Sequence, residues 1–135
     1  IFAFMARLGR HGSLAGNIAA EDEIDNSLVC ECEEVTVGEV KHALNSKTVE
    51  SIDQLRRRTR VGMGTCQGEL CACRAAGQLA KAGRCARSAQ DDLEKFLQER
   101  WKGMYPVAWG HTLSEAQFTS WIYEGVYGLP VIENK

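Results

Sequence analysis

Two pairs of cysteines constrain what this chain can fold into. Cys30 and Cys32 are separated by one residue, Cys66 and Cys71 are separated by four, and the stretch between the pairs contains no cysteine. In an extended segment, residues i and i+2 project to the same side, so both thiols of the first pair can reach one metal. If the chain folds back between the pairs, all four thiolates can converge.

The second pair needs a loop rather than a strand. Gly62, Gly64 and Gly68 surround Cys66, a pattern that predicts a tight loop leading into a helix. We place Cys71 in the first turns of that helix. The glycines would also let backbone amides approach the cysteine sulfurs.

The remaining two cysteines are not assigned to the site. Residues two apart on a helix differ by about 200° in direction, so Cys71 and Cys73 cannot both face one site if both are helical. Cys71 is preferred because its face continues through Ala75 and Ala82. Cys73 is predicted to be a small buried side chain. Cys85 lies between two arginines that could make it reactive, but an incidental thiol is the favoured interpretation.

Two short helices are predicted between the cysteine pairs. Residues 36–39 (TVGE) and 51–54 (SIDQ) have the form of capping boxes, and the apolar period continues to about residues 45 and 59. These helices would fold the chain back so that Cys66 approaches Cys32. Residues 28–35 look extended, but they are too isolated to imply a sheet.

Three further helices are predicted after the second pair. The first follows Gly68 and ends at Gly83, the next covers residues 88–102, and a capping box at residues 112–115 (TLSE) opens the last. No alternating strand run is found. The predicted fold class is therefore all-α.

Composition limits the functions that this chain can have. Its 135 residues are 44% hydrophobic and 25% charged, and the net charge of −2 identifies no partner. No segment approaches the roughly 18 apolar residues of a membrane span. Nucleic acid is a poor partner because no aromatic residues interleave with the arginines. Secretion is not expected, and in a reducing compartment clustered cysteines more often bind metal than form disulfides.

Ligand type alone does not decide which metal is bound. Four cysteine sulfurs are the usual ligands of a 2Fe-2S cluster, and also of a tetrahedral structural zinc. Zinc ribbons usually repeat a two-residue gap, whereas the gaps here are one and four residues, so each pair looks built for a separate iron. A helix start near Cys66 would favour the negative charge of such a cluster. We favour the iron-sulfur cluster, with zinc as the alternative and unligated or disulfide cysteines as the third possibility.

The sequence around the cysteines resembles a known family. Residues 30–35 (CECEEV) and 58–71 (RTRVGMGTCQGELC) look like the bacterioferritin-associated-ferredoxin-like (BFD-like) 2Fe-2S domain. The four-residue gap before the last ligand, with residues 96–103 (FLQERWKG) and 118–125 (FTSWIYEG), resembles the C-terminal end of the A-subunit of flavin-dependent anaerobic glycerol-3-phosphate dehydrogenases. The resemblance covers about residues 28–128.

The resemblance implies a ligand set and a parent enzyme. The cluster ligands would be Cys30, Cys32, Cys66 and Cys71. The whole subunit would oxidise sn-glycerol 3-phosphate to dihydroxyacetone phosphate with FAD. Electrons would pass through other iron-sulfur subunits of a membrane-associated complex to quinone. The subunit would be cytoplasmic and peripheral to the membrane through those partners.

The chain itself carries no flavin site. Residues 62–64 (GMG) are not followed by the third glycine of a dinucleotide-binding loop, and no apolar strand precedes them. FAD would therefore lie in a missing N-terminal part, and this piece alone is not expected to be catalytic. The chain begins without an initiator methionine, which suggests a fragment. We expect a preceding tail and acidic linker in 1–27, the BFD-like domain in 28–87 and a C-terminal helical extension in 88–135.

Other conspicuous side chains have two interpretations each. The arginines at 56, 57, 58 and 60 could offset cluster charge or dock an acidic partner, and a solvated helix face is at least as good an explanation. The histidines at 11, 42 and 111 are treated as surface or packing residues. The C-terminal aromatic residues should mostly build a small core, or else form an exposed patch that docks the flavin domain or a partner subunit. These are Trp101, Trp109, Trp121, Tyr123 and Tyr127.

Overall fold

A small hairpin and a set of helices make up the described part of the chain. The structure is a computed structural model that describes Met5, Gly9, His11 and residues 23–45, 48–104 and 106–130. The predicted, predominantly helical class is confirmed, and no helix among the described residues is long and apolar enough to cross a membrane. Among the described elements, a short 3-10 helix (Ile24–Asn26) comes first. It is followed in chain order by β1 (Leu28–Cys30), β2 (Val35–Thr36), α1 (Val37–Asn45), α2 (Ile52–Thr59), α3 (Ala72–Lys81), α4 (Ala89–Met104) and α5 (Gly110–Val126).

Strands β1 and β2 form an antiparallel hairpin that the sequence pattern did not predict. Leu28 pairs with Thr36 and Cys30 pairs with Val35, with an irregular register between them. Residues 31–34 form the connecting turn, so the expectation of a continuous extended segment is wrong there. A two-residue strand shows too little alternation to be recognised from sequence.

The predicted capping residues explain where α1 and α2 begin. The Glu39 N–H donates to Thr36 Oγ1 at 3.3 Å, and the Thr36 N–H donates to Glu39 Oε2 at 3.0 Å, which is the reciprocal capping box. Before α2, Ser51 Oγ accepts from the Gln54 N–H at 3.2 Å, while Gln54 Oε1 accepts from the Glu50 N–H. The two short helices turn the chain back between the cysteine pairs, as predicted.

The loop before α3 differs from the prediction. The helix begins at Ala72 with Cys71 at its N-cap, and residues 65–71 form successive turns. Cys66 is therefore not at a helix start, and the predicted start near it is wrong. Gly68 has φ +90°, a left-handed conformation that interrupts a right-handed helical path.

Helix α5 also begins earlier than predicted. Its first residue is Gly110 and its N-cap is Trp109, so residues 112–115 lie within the helix. Ser114 Oγ donates to the Gly110 carbonyl at 3.3 Å instead of capping a helix start. A hydroxyl and a carboxylate three residues apart occur inside helices as well as at their ends, so the pattern alone did not fix the boundary.

The buried apolar side chains of the described ranges form a continuous cluster. Val29 of the hairpin, Val40 of α1 and Leu55 of α2 belong to it, and so do Phe96 of α4 and Tyr123 of α5. Fully burying one large apolar side chain is worth roughly 1.5–3 kcal/mol. Helices α4 and α5 therefore help to stabilise the part of the chain that carries the cysteines. The boundary at residue 87 stays a prediction.

Part of the expected N-terminal tail and linker packs on α1. Asp25 is buried, and its Oδ1 lies 2.5 Å from Lys41 Nζ. His11 Nε2 lies 3.1 Å from Oε1 of the fully buried Glu39, and the His11 ring is edge-on to that of His42. His11 thus has the packing role that was one of its two expected roles.

The C-terminal aromatic residues do not all build the core. Trp101 and Tyr123 are buried, whereas Trp109, Trp121 and Tyr127 are 83%, 64% and 54% exposed. The expectation that most of them are core residues is wrong. On α5 the residues at 119 and 123 face the rest of the fold, and position 121 is about 200° round the helix from position 119.

Candidate metal centre

The four predicted ligand cysteines are brought together. Cys30 Sγ lies 3.7 Å from Cys32 Sγ, and Cys32 Sγ lies 3.6 Å from Cys66 Sγ. The Cys71 thiol lies close enough to the Cys30 thiol that each is the largest influence on the pKa of the other. The contacts therefore run from Cys71 through Cys30 and Cys32 to Cys66, and they connect the two pairs.

The sulfur separations suit metal binding. Sulfurs bound at about 2.3 Å to a tetrahedral metal lie about 3.8 Å apart, close to both measured distances. Among the described residues, no three His, Cys, Asp or Glu side chains surround a position for a single ion. The thiols are gathered as touching neighbours along a row.

The row of thiols is asymmetric in its exposure. Cys30 ends β1 and Cys71 caps α3, and both are buried against the core. Cys32 lies in the hairpin turn and is exposed, and Cys66 is half-buried in the loop before α3. One end of the site thus faces the core and the other faces solvent.

Backbone N–H groups point at two of the sulfurs. Those of Gly62 and Glu33 donate to Cys30, and that of Cys66 donates to Cys32. The Cys71 thiol, as the largest contribution, and the N–H groups of Gly62 and Glu33 lower the pKa of Cys30 to about 5. Burial raises the pKa of Cys32 to about 11, although the Cys66 N–H acts in the opposite direction. The contact with Cys30, together with burial, raises the pKa of Cys71, since two touching thiolates repel. The site therefore stabilises negative charge on a cysteine sulfur.

Two glycines let the loop close on the hairpin and on α4. A Cβ atom on Gly64 would lie 2.3 Å from Cys32 Sγ, and one on Gly68 would lie 2.6 Å from the ring of Phe96. Neither separation is possible for real atoms without movement of the neighbour. The prediction that glycines shape the loop around Cys66 is confirmed.

Acidic residues beside the first cysteine pair bind arginines from other elements. Both carboxylate oxygens of Glu31 lie 2.6 Å from guanidinium nitrogens of Arg74 on α3. Glu33 accepts from Arg60 at 2.7 and 3.4 Å. These pairs fasten the hairpin turn to the second half of the site. The roles of Glu31 and Arg74 were not predicted, because no local spacing signals a contact between residues so far apart in the chain.

The second cysteine pair is held from the C-terminal side. Arg100 of α4 donates to the Cys66 carbonyl at 3.3 Å and lies 3.8 Å from Glu69 Oε2. Thr119 Oγ1 of α5 donates to Glu69 Oε1 at 2.9 Å, and Tyr123 OH donates to the Glu69 carbonyl at 2.5 Å. Helices α4 and α5 thus position the loop that carries Cys66.

The other two cysteines, Cys73 and Cys85, are not part of the row of four thiols. Cys73 contacts the Tyr123 hydroxyl, and burial raises the pKa of Cys73 and of Cys85, which disfavours a reactive thiolate.

The arginines at positions 56–60 contact different groups. The Arg56 guanidinium lies 5.3 Å from the Phe96 ring centroid, and the Arg58 guanidinium donates to the Thr48 hydroxyl. Together with the Arg60 contact to Glu33, these interactions divide the arginine run among several partners.

Comparison with known proteins identifies a matching family and several relatives. Residues 28–80 match the BFD-like [2Fe-2S] binding domain. The chain is 55% identical over 122 residues to the A-subunit of anaerobic glycerol-3-phosphate dehydrogenase of Escherichia coli K12, a match that covers 89% of this chain and 22% of that protein. The corresponding Haemophilus influenzae protein is 50% identical over 121 residues, with the same coverage. No solved structure matches.

The lengths of the matches differ among the relatives. Hydrogen cyanide synthase subunit HcnB of Pseudomonas aeruginosa is 46% identical over 46 residues, 34% of this chain and 10% of that protein. A match of 122 residues, in contrast, must include most of α4 and α5. The chain spans about a fifth of the length of the dehydrogenase subunits.

Proposed function

We propose that this chain, whose residues 28–80 match the BFD-like 2Fe-2S binding domain, is the electron-transfer module of a flavin-dependent anaerobic sn-glycerol-3-phosphate dehydrogenase. The observation that carries the proposal is the row of four touching thiols formed by Cys30, Cys32, Cys66 and Cys71. Four cysteine sulfurs are the usual ligands of a 2Fe-2S cluster. The dehydrogenase assignment rests on the extent of the match.

The proposed ligands are these four cysteines, as thiolates. When bound, a 2Fe-2S cluster takes up and releases electrons one at a time. The N–H groups of Gly62 and Glu33 stabilise negative charge on the Cys30 sulfur, which favours a thiolate ligand there. The core excludes water from the Cys30 side. The exposed Cys32 marks the side on which a redox partner can approach.

The parent reaction involves groups outside this chain. We propose that sn-glycerol 3-phosphate loses two electrons and two protons to become dihydroxyacetone phosphate, with FAD as the acceptor in the rest of the subunit. The electrons then leave towards quinone through other iron-sulfur subunits of a membrane-associated complex. In this proposal the module is cytoplasmic, reaches the membrane through those partners, and is not catalytic alone.

The exposed aromatic residues offer surfaces for such partners. Trp109 and Trp121 are more than half exposed, although tryptophan is usually well buried in a monomer. Apolar aromatic side chains are also enriched at protein interfaces. We propose that they contact the flavin part of the same subunit or a partner subunit.

The alternative function is a zinc-stabilised docking domain. Four thiolates can hold a structural zinc, and the sulfur separations of 3.6 and 3.7 Å are also those of two thiolates on one zinc ion. Metal identity separates the two functions. Acid-labile sulfide belongs to an iron-sulfur cluster and not to a zinc site.

Cysteine-to-serine variants test the ligand assignment. Cys30→Ser and Cys66→Ser should each lose the visible spectrum and the acid-labile sulfide after anaerobic reconstitution. Cys73→Ser and Cys85→Ser are the matched controls and should retain both, because neither residue lies in the row of four thiols. A Cys30→Ser protein that keeps an intact cluster would contradict the assignment, and zinc without sulfide in the wild type would favour the docking domain.

A further inference from the structure

We propose that Arg100 is a positioning residue that raises the reduction potential of the proposed cluster by placing a buried positive charge beside the loop of Cys66. The inference rests on the proposed function, since it concerns the cluster that these cysteines would hold. Arg100 lies in α4, beyond the residues that match the BFD-like family. The residue would act through the protein and would not be a ligand.

Arg100 is unusually enclosed for a charged side chain. Only 9% of it is exposed, and it lines a small cavity between α4 and α5 with Trp101 and Ala116. Its Nη2 donates to the carbonyl of the ligand residue Cys66 at 3.3 Å. Its Nε is buried without a hydrogen-bond partner among the described residues. The guanidinium is therefore fixed next to the ligand loop and shielded from water.

The charge of Arg100 is less compensated than the charges of the two other arginines near the site. Arg60 and Arg74 bind their carboxylates at 2.7 and 2.6 Å, and their side chains are 55% and 40% exposed. The nearest carboxylate oxygen recorded for Arg100 is 3.8 Å away, on Glu69. The Glu69 carboxylate also accepts from Thr119 and is itself 41% exposed, so solvent weakens its opposing field.

The sign of the effect follows from electrostatics. Reduction adds one negative charge to the site, and a nearby positive charge stabilises the reduced form more than the oxidised form. Salt and water screen a buried charge much less than an exposed one. Arg100 should therefore raise the potential, and its field should persist at high ionic strength.

Redox titration of Arg100→Gln tests the proposal. At a fixed potential near the wild-type midpoint, we expect the ratio of reduced to oxidised protein to be about tenfold lower in Arg100→Gln than in the wild type. For a one-electron couple, this ratio corresponds to a midpoint potential lower by about 59 mV. Arg100→Lys keeps the charge and should stay near the wild type. Glu69→Gln removes the opposing charge and should shift the midpoint upwards. Iron and sulfide contents confirm that each variant holds its cluster.

Arg74→Gln is the matched control at an exposed site. Its midpoint shift should be smaller than that of Arg100→Gln and should disappear in high salt, because solvent already screens the Arg74 charge.

An unchanged midpoint in Arg100→Gln would overturn the proposal. An equal shift in Arg100→Lys would also overturn it, because it would indicate that loop packing rather than charge sets the potential. If Arg100→Gln does not hold its cluster, an unchanged midpoint in Glu69→Gln overturns it. A wild-type protein without any cluster would instead overturn the proposed function itself.

Discussion

Gly64 lies against Cys32 so closely that a Cβ atom at position 64 would stand 2.3 Å from the Cys32 sulfur and 2.9 Å from its Cβ. The contact joins the loop of the second cysteine pair to the hairpin turn of the first. Because Cys32 is exposed and lies in a turn, this close approach is part of what brings its thiol to within 3.6 Å of Cys66.

Gly64→Ala should disrupt the site. The added methyl must push the loop and the hairpin apart, which we expect to cost about 1–3 kcal/mol of unfolding free energy and to weaken cluster retention. Gly77→Ala is the control, since a Cβ there meets nothing within 4 Å and Gly77 lies inside α3. It should stabilise the protein by roughly 0.5–1 kcal/mol. Urea denaturation and the visible spectrum measure both effects, and an undisturbed Gly64→Ala spectrum would contradict the packing described.

Tyr123→Phe tests whether α5 supports the ligand loop. The hydroxyl donates to the Glu69 carbonyl at 2.5 Å, so its removal leaves a partly buried acceptor unpaired and should cost about 1 kcal/mol. We expect the variant to lose its metal to a chelator faster than the wild type. Tyr127→Phe, at an exposed position on the same helix end, should lose metal at the wild-type rate. Equal rates for all three proteins would show that α5 does not hold the loop.

We expect the stability of the protein to depend on pH through Asp92, a residue outside the row of four thiols. Its Oδ2 accepts from the Ile52 N–H at 2.8 Å, and partial burial raises its pKa above the ordinary value of 3.8. The folded state then binds the proton more tightly than the unfolded state does. The contribution of Asp92 to stability is therefore largest below about pH 3.8 and declines as the pH rises through the folded pKa.

Asp92→Asn isolates that charge. The amide side chain keeps an oxygen acceptor for Ile52 but does not ionise. The unfolding free energy of the variant, relative to that of the wild type, should therefore increase as the pH rises from 4 towards 7. Asp92→Leu removes the acceptor and should be destabilised at every pH. Denaturation curves across this range provide the measurement. If the Asp92→Asn protein loses stability relative to the wild type with rising pH, the sign is reversed and the pKa shift is contradicted.

The parts of the fold that local sequence patterns determine were predicted well. The residues at 36–39 and 51–54 cap α1 and α2 because a hydroxyl accepts a backbone N–H three residues away, an interaction wholly within the pattern. The crowding of Gly64 and Gly68 agrees with the predicted tight loop. Helical periodicity alone predicted that Cys71, rather than Cys73, faces the site. The structure places Cys71 beside Cys30 and Cys73 beside Tyr123.

The parts that depend on long-range contacts were missed. The bond from Arg74 to Glu31 joins residues 43 positions apart, and the bond from Tyr123 to Glu69 joins residues 54 apart. Nothing in a local window distinguishes these arginines and tyrosines from solvated ones. The start of α5 was also missed, because residues 112–115 resemble a helix cap but lie one turn inside the helix.

The most direct test of the four-cysteine 2Fe-2S site is the metal content of protein purified without oxygen. Iron, acid-labile sulfide and zinc are measured per chain, with visible spectra before and after dithionite. We expect about two irons and two sulfides per chain, little zinc, and a visible spectrum that bleaches on reduction. Zinc without iron or sulfide, from both aerobic and iron-supplemented anaerobic preparations, would contradict an electron-transfer role and make this part of the chain a structural docking domain.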